Sequence, residues 1–132
     1  MVKRIIKPSY TQEQIMTFEE LIATTAQPVI VANINGIITA INGPFTAEFG
    51  WIESDLIGKS LTTIIPSALR DAHQLGFSAY ASTGKASLLG QHLDLEIVKE
   101  DGSVVLADHY ILSGNIDGRK AFAAQITFRQ EG

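Results

Sequence analysis

Hydrophobic residues alternate with polar ones in three segments of the second half of the chain. A period of two residues is typical of a β-strand that buries one face. Two Asp-Gly pairs, which are typical of hairpin turns, separate the three segments. The pattern therefore predicts three consecutive antiparallel strands, which span Gln91–Lys99, Val104–Ser113 and Lys120–Phe128.

Two shorter apolar runs, rich in β-branched residues, lie near the start of the chain at Val29–Asn33 and Ile37–Ile41. The residues between them include Asn35-Gly36, which suits a tight turn. We therefore expect these runs to form a β-hairpin. Asn42 follows the hairpin and can cap a short helix, because Gly43-Pro44 suits a first helical turn.

The segment before the hairpin predicts an amphipathic helix over Thr11–Ala26, because its apolar residues recur at helical intervals. Thr11 and Gln14 have the spacing of a capping box. The apolar face needs a partner, so we expect this helix to pack on the sheet or to pair with a second chain. Two-fold contact of these helices would make a homodimer. The apolar positions are Ile15, Phe18 and Ile22.

Between the hairpin and the last three strands, the pattern predicts only helices. A short turn covers Glu53–Ile57, and the longest helix begins at Pro66-Ser67 and ends at Gly84. His73 shares the apolar face of the longest helix by i, i+3 and i+4 spacing and is expected to point inward.

This order of elements predicts an α+β fold. Five antiparallel strands form one sheet, with short helices and the one longer helix packed on one face, in addition to the N-terminal helix. The chain has 132 residues, of which 45% are hydrophobic, which fits a single compact domain. We assign residues 1–27 to an N-terminal extension with its helix, and residues 28–129 to the domain.

Composition excludes several classes of function. The net charge is -4, and the 10 Lys and Arg residues are scattered, which argues against a nucleic-acid partner. No apolar run approaches the length of a membrane span, so a cytoplasmic protein is expected. The absence of cysteine excludes disulfides, thiolate metal sites and cysteinyl photochemistry. No known catalytic motif is present, so an enzyme is not expected.

Several ordered motifs together resemble the PAS superfamily, over about Pro28 to Phe128. Such a resemblance implies a sensory domain that holds a cofactor or small ligand between its helices and its sheet. It also implies signalling to a separate output domain, such as a histidine kinase, a cyclic-dinucleotide enzyme or a chemotaxis module; none of these is in this sequence. The motifs are Asn35-Gly-Ile-Ile-Thr-Ala-Ile-Asn42, Phe49-Gly-Trp51, Leu56-Ile-Gly-Lys59, Ile64-Ile-Pro66 and Lys99-Glu-Asp-Gly-Ser103.

A narrower resemblance, to the heme-binding PAS domains of bacterial oxygen sensors, lies in Ile65-Pro-Ser-Ala-Leu-Arg-Asp-Ala-His73 and Thr83-Gly-Lys-Ala86. It implies heme b with His73 as the proximal iron ligand, followed on the same helix by Phe77 and Tyr80. The alternative is a histidine without heme, at the helix surface or hydrogen-bonded in the core, as in other PAS domains.

On the distal side, those oxygen sensors carry an arginine or methionine on the strand after the helix, where this chain has Gln91 and Leu93. Gln91 could donate a hydrogen bond to a bound ligand, whereas Leu93 could not. FAD is a less favoured cofactor, because Trp51, which would lie beside it, is more typical of a core residue. The candidate binding residues are His73, Phe77, Tyr80, Gln91, Leu93, Tyr110 and Trp51.

Two histidines and two aspartates lie on the two strands joined by the Asp101-Gly102 turn. A two-residue turn would set Asp94 opposite His109 as a surface ion pair. A bulged turn would shift the register by one residue and bring His109 to the helix-covered face beside Leu95. Both registers stay open at this point. The histidines lack convergent spacing, so a zinc site is not expected.

Overall fold

The structure, a computed structural model, describes residues 16–71 and 89–128. Five antiparallel strands form one sheet in the order β2-β1-β5-β4-β3, so the hairpin near the N-terminus pairs with the last strand. The five-stranded antiparallel sheet predicted from the sequence is thereby confirmed. The strands are β1 (Val29–Asn33), β2 (Ile38–Ile41), β3 (His92–Val98), β4 (Val104–Ile116) and β5 (Arg119–Phe128).

The described helices are all short. They are α1 (Phe18–Ala23), α2 (Gly43–Phe49) and α3 (Glu53–Leu56), followed by 3₁₀ turns at Leu61–Ile64 and Ser67–Leu69. The predicted long helix from Pro66 to Gly84 lies mostly outside the described residues, as does the predicted capping box at Thr11 and Gln14.

The N-terminal helix is shorter in its described part than the predicted Thr11–Ala26. Thr17 caps α1: its hydroxyl accepts a hydrogen bond from the Glu20 backbone at 3.0 Å, and the Glu20 carboxylate accepts one from the Thr17 backbone at 2.9 Å. This reciprocal capping box starts α1 at Phe18, because Thr17 itself has extended backbone angles. This box was not predicted from the sequence; the predicted one, at Thr11 and Gln14, lies outside the described residues.

The inner face of the sheet carries α2, α3 and the first 3₁₀ turn. Residues of β1, β2 and the ends of β3, β4 and β5 pack there against Phe45, Phe49 and Leu56, which are fully buried. Trp51 packs against this cluster and donates a hydrogen bond from Nε1 to the Val98 carbonyl at 2.9 Å. The cluster consists of Ile30, Ile38, Ile41, Phe45, Phe49, Leu56, Ile64, Ile97, Ala107 and Ile126.

The outer face of the sheet carries α1. Phe18 and Leu21 of α1 pack against small and β-branched residues of β1 and β5, namely Val29, Val31, Ala121 and Ala123. Helices therefore lie on both faces of the sheet. The prediction placed the later helices on one face and left open whether the N-terminal helix packs on the sheet or pairs with a second chain.

Asn42 holds the start of the domain together. Its Oδ1 accepts hydrogen bonds from the Phe45 backbone at 3.1 Å and from the Val29 backbone at 3.0 Å. Its Nδ2 donates to the carbonyls of Thr24 and Gln27 at 3.2 and 2.8 Å. The predicted role as a helix cap is confirmed, and the same side chain also ties the segment after α1 to β1.

The β3–β4 turn has three residues rather than two. The Lys99 backbone donates to the Ser103 carbonyl at 2.8 Å, and Gly102 has φ of 89°. This is a bulged turn, with glycine in the left-handed conformation that the bulge requires. Asp94 consequently lies opposite Asp108, and Leu93 lies opposite His109. Of the two registers left open by the sequence, the bulged one is observed.

Candidate ligand site on the inner face

The inner face of the sheet divides into two parts. One part is the cluster packed under α2 and α3. The other part belongs to β3, β4 and β5, and none of its residues is a member of that cluster among the residues that the structure describes. Cross-strand register places these residues on the same face; they are Leu93, Leu95, His109, Ile111, Ser113 and Phe122.

His109 is the one ionisable side chain in this second part of the face. The residue is 9% exposed. Its Nδ1 lies 3.0 Å from the Ala107 carbonyl, which can only accept, so Nδ1 carries the proton. Nε2 is then the unprotonated nitrogen of the neutral ring. Within residues 16–71 and 89–128, no hydrogen bond to Nε2 is found.

Burial lowers the pKa of His109 below its ordinary value of about 6.5. The hydrogen bond to Ala107 and the carboxylates of Asp108 and Asp94 act in the opposite direction, but more weakly. The imidazole is therefore neutral near pH 7. A neutral imidazole can accept a hydrogen bond at Nε2 or bind a metal ion there.

Apolar side chains surround this imidazole on the same face. Leu93 lies directly across from His109 on β3, and Ile126 lies across from it on β5. Leu95, one step further along β3, keeps 38% of its surface exposed. A partly open apolar surface with one polar group is the usual chemistry of a small-molecule site.

Two predicted site residues belong to this region. Leu93 lies on the inner face and is half-buried, and Gln91 comes two residues earlier, just before β3, where it is exposed. His73, Phe77 and Tyr80 lie outside the described residues. Trp51 packs against the other part of the inner face, and its hydrogen bond to Val98 agrees with its interpretation as a core residue.

Tyr110, another candidate binding residue, lies on the outer face of the sheet rather than beside His109 on the inner face. It lies opposite His92 and Gln125 on the outer face, where it is 2% exposed. A two-residue turn would have set Tyr110 opposite Leu93, because a shift of one residue moves every side chain of a strand to the other face. In the observed bulged register, His109, which was not among the candidate binding residues, takes that position.

The outer face has a polar group of its own. His92 Nδ1 lies 2.7 Å from Asp108 Oδ2, and the His92 ring stacks on Tyr110 with ring centres 4.7 Å apart. A predicted surface ion pair is thus present, but between His92 and Asp108 rather than Asp94 and His109. An open groove of about 360 Å³ adjoins it, lined by Met16, Gln27, His92, Asp108, Gln125, Thr127 and Phe128.

The described residues contain neither a metal-binding cluster nor a membrane-spanning helix. No group of three or more His, Asp or Glu side chains there could hold a metal ion. None of the described helices is long and apolar enough to cross a membrane.

The fold and sequence match known proteins. A family model described as PAS fold matches residues 17–124. A protein of Azorhizobium caulinodans described as uncharacterized is 32% identical over 105 residues, which cover 79% of this chain and 14% of that protein. The chain thus spans about a seventh of this relative.

Solved structures agree on the fold. The PAS domain of an HTR-like protein from Haloarcula marismortui has a TM-score of 0.65 at 21% identity and covers 96% of this chain and 100% of that one. A PAS domain from Desulfitobacterium hafniense has a TM-score of 0.65 at 16% identity, covering 81% and 95%. A PAS domain from a two-component sensor histidine kinase has a TM-score of 0.62 at 9% identity, covering 94% and 99%. With its ordered motifs, its five-stranded sheet and the family match over residues 17–124, this chain belongs to the PAS family.

Proposed function

We propose that this chain is a sensory domain that binds a small ligand or cofactor on the inner face of its sheet, beside His109. The observation that carries the proposal is the buried imidazole on a face that is otherwise mainly apolar. Among residues 16–71 and 89–128, Nε2 of His109 has no hydrogen-bond partner, and burying a polar atom without a partner is unfavourable. A ligand that donates to Nε2 of His109 would satisfy that atom, while Leu93 and Leu95 would cover apolar parts of the ligand.

Signalling would follow from a difference in ligand affinity between two arrangements of the domain. The candidate site and the outer-face groove lie on opposite sides of β4 and β5. His109 of the site and Asp108 of the groove are neighbours on β4, and neighbouring residues of a strand point to opposite faces. Met16, just before α1, and Phe128, at the end of β5, both line that groove. A shift of β4 and β5 would therefore be felt at the start of α1 as well as at the end of β5.

The output would be a separate domain. Support comes from the relative, which is several times longer than this chain, and from the similar fold found in a sensor histidine kinase. A histidine kinase, a cyclic-dinucleotide enzyme and a chemotaxis module are the output classes that we consider. We propose that the sensory domain itself acts in the cytoplasm and catalyses no reaction.

Heme is the specific cofactor that we propose to test. Leu93, Leu95 and Ile111 offer the apolar surface that a porphyrin needs. The neutral ring of His109, which lies across the strands from Leu93, would be the polar group on the distal side of the heme. His73 would supply the proximal ligand. Absorption spectra of protein expressed with added heme should show a Soret band that His73→Ala abolishes. A colourless protein in both forms would exclude heme and leave a colourless ligand.

Native mass spectrometry tests ligand binding without assuming a cofactor. We expect the protein purified from cells to carry extra non-covalent mass, and Leu93→Trp to abolish it by filling the site. Leu106→Trp, a matched change on the outer face of β4, should leave the extra mass in place. Bare chains in all three samples would contradict the proposed ligand.

We also propose a homodimer through the N-terminal helix. In its described part, Phe18 and Leu21 are buried on the chain's own sheet, whereas Ile22 keeps 37% of its surface exposed. A second copy would therefore contact α1 mainly through Ile22. Light scattering coupled to gel filtration should give the mass of two chains, and Ile22→Glu should reduce it to one. A single-chain mass for the unmodified protein at high concentration would contradict the dimer.

A further inference from the structure

The outer face of β3 and β4 bears an apolar and acidic patch that α1 does not cover. Val104 and Leu106 are 46% and 44% exposed, although strands usually bury such residues. They pair across the strands with Val98 and Glu96, and the next pair on this face is Asp94 and Asp108. We call these six residues the β3–β4 patch; they are Asp94, Glu96, Val98, Val104, Leu106 and Asp108.

The charge of the β3–β4 patch has one sign. It carries three carboxylates and no Lys or Arg. On the outer face of β3 and β4, the remaining ionisable groups are His92, at the edge of the patch, and Tyr110. Asp108 already lies 2.7 Å from His92 Nδ1, and the carboxylates of Asp94 and Glu96 add negative charge beside this pair. A partner that fits this surface would therefore combine apolar side chains with positive charge.

One segment of the chain has this chemistry. Val2–Lys7 reads Val-Lys-Arg-Ile-Ile-Lys, so three of its six residues are basic and three are aliphatic. Elsewhere the basic residues are scattered singly or are joined only in the Arg119-Lys120 pair of the β4–β5 hairpin. The segment thus complements both the apolar and the acidic parts of the patch.

The segment can also reach the patch. Met16, from which the chain leads back toward Lys7, lines the groove beside His92 and Asp108, at one end of the patch. Eight residues lie between Lys7 and Met16, and the chain between the two can span up to about 30 Å when extended. The strand from His92 to Val98 is only about 20 Å long.

We propose that the β3–β4 patch binds the segment Val2–Lys7 of the same chain. The contact would combine burial of Val104 and Leu106 with attraction between the basic side chains and the three carboxylates. It would also bring the N-terminus of the chain against the strand whose other side carries His109.

Paramagnetic relaxation in NMR tests the proposal directly. The chain has no cysteine, so Val2→Cys gives one site for a spin label and leaves the basic residues and both isoleucines intact. We expect the label to broaden the amide signals of Val104 and Leu106. Leu106→Lys should weaken the broadening at Val104 by repelling the segment, whereas Ile116→Lys, at an exposed aliphatic residue on the same strand, should not.

Two outcomes would overturn the proposal. The first is a label that leaves Val104 and Leu106 unaffected, which would show that the segment does not bind there. The second is broadening between chains. It would appear when spin-labelled ¹⁴N chains are mixed with ¹⁵N chains that carry no spin label. It would be absent when spin-labelled ¹⁵N chains are diluted with ¹⁴N chains that carry no spin label. That result would assign the patch to a second copy.

Discussion

The ring of Phe18 on α1 lies directly against the backbone of Gly114 on β4, so closely that a Cβ at position 114 would overlap the ring. Gly114 pairs with Ala121 across the sheet, and Ala123 follows on the same face. This run of small residues gives α1 its place on the outer face. The glycine is needed here for close approach, since its φ is not positive.

Gly114→Ala should therefore destabilise the domain and loosen α1. Overpacking of a well-packed contact costs about 1–3 kcal/mol, and urea unfolding measures the change. Gly43→Ala is the control, because a Cβ at position 43 would meet nothing within 4 Å. In the background of Phe18→Ala, the Gly114→Ala change should cost much less than alone. Equal costs in the two backgrounds would refute the contact.

Asn42→Ala should be among the most destabilising substitutions of a partly exposed polar residue in this chain. It removes a helix cap and three further hydrogen bonds to the backbone, for a loss of about 2–4 kcal/mol in the free energy of unfolding. Asn115→Ala, at an exposed asparagine in β4, provides the matched control and should change stability by less than about 0.5 kcal/mol. Similar losses in both variants would contradict the role of Asn42.

His109 should make the folded state less stable in acid. Because burial lowers its pKa in the folded state, the unfolded chain binds the proton more readily, and stability falls as the pH drops below the unfolded value of about 6.5. The loss continues until the folded-state pKa is reached. His109→Gln should remove this part of the pH dependence in urea unfolding. The control His92→Gln, at the exposed histidine, should leave the contribution of His109 in place. A folded-state pKa of His109 above 6.5 by NMR would contradict the burial argument.

Trp51→Phe should separate packing from hydrogen bonding at the inner-face cluster. The ring would still pack against the inner-face cluster, but the Val98 carbonyl would lose its donor at 2.9 Å. The cost should be about 1–2 kcal/mol, measured by circular dichroism because Trp51 is the only tryptophan. No loss of stability would show that the hydrogen bond contributes little.

The sequence predicted the strands well because a two-residue period is a direct consequence of one buried face. Each predicted strand differs from the observed one by three residues at most at either end, and the longest difference is at the end of β4. The hairpin turn at Asp117-Gly118 was also identified correctly, since both residues adopt positive φ as the turn requires.

The register of β4 stayed open in the sequence for a reason that lies in three residues. Asp101-Gly102 allowed either a two-residue or a bulged turn, and the bulged form is stabilised by Asp101 Oδ1, which accepts hydrogen bonds from the Ser103 backbone at 2.9 Å and from the Ser103 hydroxyl at 2.6 Å. Gly102 then serves as the bulge residue. An Asp followed two residues later by Ser was a signal for this side-chain turn, and using it would have decided the register and placed His109 on the inner face.

The most direct test of the central claim is methyl NMR of the protein as purified, compared with the same protein after unfolding and refolding to strip any ligand. We predict that the methyl signals of Leu93, Leu95 and Ile111 on the inner face differ between the two samples, while those of Val104 and Leu106 on the outer face stay the same. Identical inner-face signals, or differences confined to the outer face, would contradict a ligand site beside His109.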